Sequence, residues 1–147
     1  MTSRDFNREF QDGARKYQYD VDGVVQRYIM KTLAPWFRPG RALELGCYTG
    51  DVTELIAGVY SDLTVVEASA DLVTKAGGRL GGRARFITST FEHARLDGQY
   101  DAIFFIHTLE HVDDAVQVVT RVRGWLTETG RLVVVVPGKF EVFARAP

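Results

Sequence analysis

The residues best placed to do chemistry are two glycines and a glutamate. Gly46 and Gly50 follow the β-rich run Arg41–Leu45 and lead into a stretch of helical spacing. In open α/β sheets such a strand–turn–helix unit floors the ligand crevice beyond the carboxyl ends of the strands. Glycine there permits unusual φ values and lets a ligand approach the backbone closely. The Gly-x-x-x-Gly spacing is not the Gly-x-Gly-x-x-Gly that cradles a dinucleotide pyrophosphate, so an NAD-type oxidoreductase is disfavoured. Glu67 lies 21 residues beyond Gly46, at the end of the next β-rich run. A carboxylate at that position accepts hydrogen bonds from vicinal hydroxyls, which is how such folds hold a ribose. Cys47, inside the glycine loop, reads as a small buried filler more than as a nucleophile.

These residues need a frame that brings strand ends together. Arg41–Leu45, Leu63–Glu67, Ala84–Thr88, Tyr100–Ile106 and Arg131–Val136 read as strands. Between them run helical patterns carried by Val52, Leu55, Ile56 and Val59, by Leu72, Val73 and Ala76, and by Ala115, Val118, Val119 and Val122. Strands alternating with helices imply βαβ units and a parallel sheet with right-handed crossovers. The expected fold is α/β, a Rossmann-like doubly wound, mostly parallel sheet flanked by helices, in one domain. An earlier helix is predicted over Asp22–Leu33, stopped by Pro35 and Pro39-Gly40. Residues 1–20 carry Phe6, Phe10, Tyr17 and Tyr19 without a clear period, so residues 1–40 are expected to form an arm and helix and 41–147 the core. The fourth and fifth strands are nearly continuous apolar runs, which predicts that both are interior. Few residues follow the fifth, so its uncovered edge invites pairing with a second copy of the chain. Alternatively Lys139–Arg145 folds back as a short antiparallel strand.

With 18 Lys+Arg against 19 Asp+Glu, the 147-residue chain has a formal net charge of -1. It lacks the basic excess that drives binding to nucleic acid or anionic membranes. One cysteine excludes an intramolecular disulfide and a Cys-rich zinc site. Glu110-His111 with Asp113-Asp114 reads as a helix N-terminus complementing its dipole, not as a metal set. No apolar run approaches the roughly 20 residues of a membrane span, and the N-terminus opens into polar sequence. A cytoplasmic location is expected.

Taken together, these residues resemble the class I S-adenosylmethionine-dependent methyltransferases, particularly their small-molecule branch. Leu43-Glu-Leu-Gly-Cys-Tyr-Thr-Gly50 is similar to that family's first motif, and Glu67 falls where its ribose-binding acid belongs. Tyr100–Val112, ending in Leu-Glu-His-Val, is similar to its fourth strand and following signature, and Trp125–Leu132 to the turn before its fifth strand. The resemblance implies S-adenosylmethionine as cofactor, S-adenosylhomocysteine as product and a small-molecule methyl acceptor. It implies that Glu44 reaches the cofactor's charged amino end and that Gly46, Cys47, Tyr48 and Gly50 pass beneath the methionine and ribose. Glu67, with Ala68 beside it, would hold the ribose, Thr90 and Phe91 would meet the adenine, and His107 would lie near the sulfur. Tyr48 departs from a usual glycine and Thr90 from a usual acid. The family's seven-stranded sheet continues with two more strands, which this chain lacks: it is a fragment, borrows a strand from a partner, or substitutes its tail.

A sulfonium methyl is already an activated electrophile, so the protein's main task is alignment and exclusion of water. Where the acceptor must lose a proton, His107 and His111 are the candidate bases. His111, at a helix start, also suits a structural role, and His93 reads as solvated. Tyr17, Tyr19 and Tyr28 either shape an acceptor pocket or pack the N-terminal segment on the domain. The rival reading is a catalytically inactive cofactor-binding or assembly module on the same fold.

Overall fold

The computed structural model describes residues 5–13 and 22–137. The expected tail strand over 139–145, Tyr17 and Tyr19 lie outside them. The elements run α1 (Phe6–Gly13), α2 (Asp22–Leu33), β1 (Arg41–Leu45), α3 (Asp51–Ala57), β2 (Asp62–Glu67), α4 (Ala70–Leu80), β3 (Arg85–Thr88), β4 (Tyr100–Ile106), α5 (Ala115–Arg123) and β5 (Leu126–Val135). Two short 3-10 turns, Ala34–Trp36 and Leu109–His111, are interposed.

All strand pairs are parallel, and the order is β3-β2-β1-β4-β5. The winding direction therefore reverses between β1 and β4, where Ala42 pairs with Ala102 and Glu44 with Phe104. The alternation of a strand sends successive side chains to opposite faces. Ala42, Phe104, Ile106 and Val133 join Ile56, Tyr60 and Ala76 beneath α2, α3 and α4. Leu43, Leu45, Ile103 and Phe105 join Val118 and Val122 of α5 on the other face. Phe104 is at the centre of an aromatic cluster, edge-on to Phe37 at 5.3 Å and to Tyr60 at 5.8 Å between ring centroids.

Four of the five strands and four helices lie close to where the sequence placed them. Three differences have physical causes. The N-terminal segment contains a helix, α1, that its irregular apolar spacing did not reveal. It is held by polar contacts to the start of α4, where Asn7 accepts from Ser69 and Gln11 donates to Asp71. The fifth strand begins at Leu126 instead of Arg131. Leu126 pairs with Tyr100 and Arg131 with Ala102, so residues 127–130 bulge opposite Asp101. A Cβ on Gly130 would lie 2.8 Å from the Tyr100 carbonyl oxygen, so only glycine closes the bulge. Thirdly, β5 is not interior: among the described residues it pairs only with β4, and Val134 and Val136 are exposed. Its apolar run serves two half-covered faces at a sheet edge.

Truncating Phe104→Ala empties the middle of the aromatic cluster. It should cost about 3–5 kcal/mol of stability, read as a shift in the urea midpoint of unfolding.

Candidate functional site

The residues expected to meet the cofactor, and His107, lie at or just beyond the carboxyl end of a strand, whereas Tyr28 is on α2 and His111 in the 3-10 turn after β4. The loop Gly46–Gly50 leaves β1, Glu67 and Ala68 end β2, Thr90 and Phe91 follow β3, and His107 follows β4. In a doubly wound sheet the crevice opens here, at the switch between β1 and β4.

The glycine loop is fixed from three sides. Gly46 takes φ +82°, and its N–H donates to the Val66 carbonyl at 2.9 Å. A Cβ on Gly46 would fall 2.4 Å from Thr108, so the loop lies directly against the turn after β4. The Gly50 N–H closes the turn on the Cys47 carbonyl at 2.9 Å, and a Cβ on Gly50 would meet Ala76 of α4 at 3.0 Å. Thr49 bonds its hydroxyl to Asp51, which pairs with Arg79 at 2.6 Å. Burial alone would raise the Asp51 carboxyl, but the Thr49 hydroxyl and the Arg79 guanidinium outweigh it and hold it below the usual range.

Glu67 ties two turns together. Its Oε2 accepts the Cys47 N–H at 3.1 Å and its Oε1 the Ser69 N–H at 3.0 Å. Each carboxylate oxygen has a second lone pair, and the Cys47 thiol lies 3.9 Å from Oε2 as a weak further donor. Glu44 is in a different position: it is 1% exposed, and its Oε2 has no hydrogen-bond partner. Desolvation pushes its carboxyl up to about 8, the Thr53 hydroxyl draws it part of the way back, and the charge of Glu67 adds to the rise. Burial, together with the charges of Glu44 and Glu67, also pushes the Cys47 thiol far up, so it stays a neutral filler.

Two non-glycine residues sit in the left-handed region, Tyr48 at φ +48° and His107 at φ +53°. Such conformations cost on the order of 1–3 kcal/mol and cluster at ligand sites. The His107 N–H donates to the Val135 carbonyl at 2.8 Å, while its half-exposed ring lies 4.0 Å from Glu110. His111 is an exposed residue of the 3-10 turn, and His93 is likewise exposed, bonded through Nδ1 to the Thr90 hydroxyl at 2.8 Å. Phe91 packs edge-on to Phe105 at 5.7 Å, so part of its ring belongs to the core. Asp114 caps α5 by accepting the Gln117 N–H at 2.8 Å. Beside β5, an apolar groove of about 540 Å³ runs between Val135 and Val24, Val25, Tyr28 and Ile29 of α2.

Sequence reasoning missed Thr53, Ser69 and Thr108. Ser69 carried a signal, since it stands at the N-cap position before α4 and accepts the Leu72 N–H. Thr53 and Thr108 carried none, because their roles depend on contacts across elements.

Glu44 gives a measurable signature. An acid whose folded value is raised contributes stability that is complete below its unfolded value, near 4.5, and is lost as pH climbs towards 8. Stability of the ligand-free chain should therefore fall by a few kcal/mol between about pH 5 and pH 8, and Glu44→Gln should flatten that slope in urea titrations.

Comparison with known proteins agrees with this geometry. Residues 17–145 match the family model described as a methyltransferase domain. The chain is 28% identical over 144 residues to the biotin biosynthesis bifunctional protein BioCD of Bordetella avium, covering 91% of this chain and 30% of that one. It is 30% identical over 124 residues to the malonyl-[acyl-carrier protein] O-methyltransferase of Anoxybacillus flavithermus, covering 81% and 48%. It thus spans half or less of the length of these curated relatives. Among solved structures, the N-methyltransferase NodS of Bradyrhizobium japonicum in complex with S-adenosyl-L-homocysteine superposes with a TM-score of 0.72 at 19% identity, over 85% of this chain and 71% of that one. An S-adenosylmethionine-dependent methyltransferase of Clostridium acetobutylicum gives 0.68 at 16% identity, over 86% and 55%. Sheet order, the β1 loop and the family model thus lead to one conclusion: the chain belongs to the methyltransferase domain family.

Proposed function

We propose that this chain binds S-adenosylmethionine across the β1/β4 switch and takes part in methyl transfer to a small-molecule acceptor. The observation that carries the reading is Glu44, a buried carboxyl whose Oε2 lacks a partner. An unpaired buried acid is costly, and a ligand's ammonium group would satisfy it. Gly46, Cys47, Tyr48 and Gly50 lie beneath the ligand. Glu67 takes the ribose hydroxyls, with Ala68 alongside. Thr90 and the exposed part of Phe91 flank the adenine.

When bound, S-adenosylmethionine supplies a methyl group already activated by its sulfonium. The chain's own work is to hold the acceptor in line and keep water out. His107, whose backbone bends its half-exposed ring away from the β4 ladder, accepts a proton from acceptors that must lose one. His111 is the second candidate. The groove between α2 and β5 suits an acceptor with an apolar body, with Tyr28, 72% exposed, at its rim. Similarity to a protein named as a malonyl-[acyl-carrier protein] O-methyltransferase makes a malonyl thioester one member of the acceptor panel.

Among the described residues no helix is long and apolar enough to cross a membrane. We also place the chain in the cytoplasm, on the strength of its one buried, unpaired cysteine. Pairing with a second copy along the exposed edge of β5 follows from the same reading. A strictly monomeric mass in concentration-dependent light scattering would remove it.

Calorimetric titration of the 147-residue chain with S-adenosylmethionine and S-adenosylhomocysteine tests the central proposal. Binding is expected in the micromolar range, weakened at least about tenfold by Glu67→Ala through loss of charged hydrogen bonds. Because Glu44 is largely protonated at pH 7, binding should release a proton, seen as a heat that varies with the buffer's ionisation enthalpy. That dependence should vanish in Glu44→Gln. A folded chain that binds neither ligand overturns the proposal. Binding without turnover over the acceptor panel would favour the inactive-module reading, and loss of turnover in His107→Gln with unchanged binding would assign the base.

A further inference from the structure

Glu67 is held not only by its own loop but by a chain of contacts that reaches α1. Ser69 is 1% exposed, and its N–H, its hydroxyl and its carbonyl, which accepts the Val73 N–H at 3.0 Å, all have partners. Its N–H donates to Glu67 Oε1 at 3.0 Å, its Oγ accepts the Leu72 N–H at 3.2 Å, and its hydroxyl donates to Asn7 Oδ1 at 2.7 Å. Asn7 Oδ1 also receives the Asp71 N–H at 3.4 Å. One amide oxygen of α1 thus fixes the hydroxyl rotor of Ser69 and reaches the first turn of α4. A second contact docks α1 without touching Ser69: Gln11 Nε2 donates to Asp71 Oδ2 at 3.3 Å.

We propose that Asn7 is a positioning residue for Glu67, acting through Ser69, so that docking of α1 sets the carboxylate's aim at the ligand's ribose. The inference rests on the ribose reading of Glu67 given above. With Asn7 in place, the Ser69 hydroxyl has one donor direction, and its oxygen faces Leu72. The Ser69 backbone is then held with its N–H on Oε1, while the Cys47 N–H holds Oε2. Both oxygens are fixed, Oε2 by the Cys47 thiol at 3.9 Å as well, and the carboxylate keeps one orientation. Without Asn7, Ser69 has a buried hydroxyl with no acceptor and rotates to find one. The carboxylate then loses its orientation while its charge stays. Linked hydrogen bonds of this kind strengthen one another.

The test uses two probes, S-adenosylhomocysteine and its 2′,3′-dideoxy analogue, which has no vicinal hydroxyls for Glu67, titrated calorimetrically into the wild-type chain, Asn7→Ala and Gln11→Ala. Thermal melts establish that each variant is folded. Wild type should prefer the ribose-bearing ligand. Asn7→Ala should weaken S-adenosylhomocysteine by about three- to tenfold, the worth of one hydrogen bond, and leave the dideoxy analogue nearly unchanged, so that the preference collapses. Gln11→Ala should keep the preference. Equal weakening of both probes in Asn7→Ala, or an equal collapse in Gln11→Ala, would mean that α1 contributes only packing and would overturn the inference. A wild-type chain that does not distinguish the probes would overturn the ribose reading, and the inference with it. If Asn7→Ala does not fold, the Asn7→Ser variant, whose shorter side chain does not reach Ser69, takes its place with the same expectations.

Discussion

The Glu67 carboxylate accepts one N–H from each of two turns, Cys47 after β1 and Ser69 after β2. Those turns belong to adjacent parallel strands, and parallel strands cannot share a tight connection. Their ends would otherwise be joined only by the ladder below them. A single acid therefore sets the separation of the glycine loop and the start of α4. The rest of the crevice follows from it. Gly46 is pressed on Thr108, Gly50 on Ala76, and Asp51 is drawn to Arg79. Each contact uses the absence of a side chain or the presence of a charge to fix the same short loop.

Against that anchored acid stands a second, Glu44, with one oxygen left unpaired. Glu44 and Glu67 come from neighbouring strands and are both buried, and the field of Glu67 helps keep Glu44 protonated. Two acids in such a place differ by their partners: one has two backbone donors, the other an unpartnered oxygen. The asymmetry gives the site a polarity before any ligand arrives. In the proposed reading one end takes the ribose hydroxyls and the other the cofactor's ammonium group. The strained backbone at Tyr48 and His107 belongs to the same local cost, met by the well-packed sheet beneath it.

Much of this was legible in the residues. The alternation of β-rich and amphipathic runs is enough to give a parallel sheet, because each strand of β1, β2 and β4 is bounded by glycine, serine or histidine turns. The placement of the glycine loop and of Glu67 was legible because it depends on local backbone and on position at a strand end. The helix α1 was not, since Phe6 and Phe10 give it only one apolar pair at helical spacing and its eight residues are too few to establish a period. The start of β5 was hidden by Thr127-Glu-Thr-Gly130, whose turn-like composition is accommodated as a bulge within the strand. The edge position of β5 could not be told from its apolar run, because a run of valines fits a covered strand and an edge strand alike.

The β1/β4 seam also dictates an order of events in the life of the polypeptide. Ala42 and Ala102 face one another across the middle of the sheet although sixty residues separate them. Closing so long a loop costs entropy before any pairing rewards it, and sheets dominated by such distant pairings assemble slowly. During synthesis, β1, β2 and β3 are made first and can pair in sequence, but β1 keeps one open side until Tyr100–Ile106 has left the ribosome. For that interval the apolar flank that will become the centre of the molecule is its most adhesive surface. The crevice acquires its shape only then, because its two walls are the first and the fourth strands to be made.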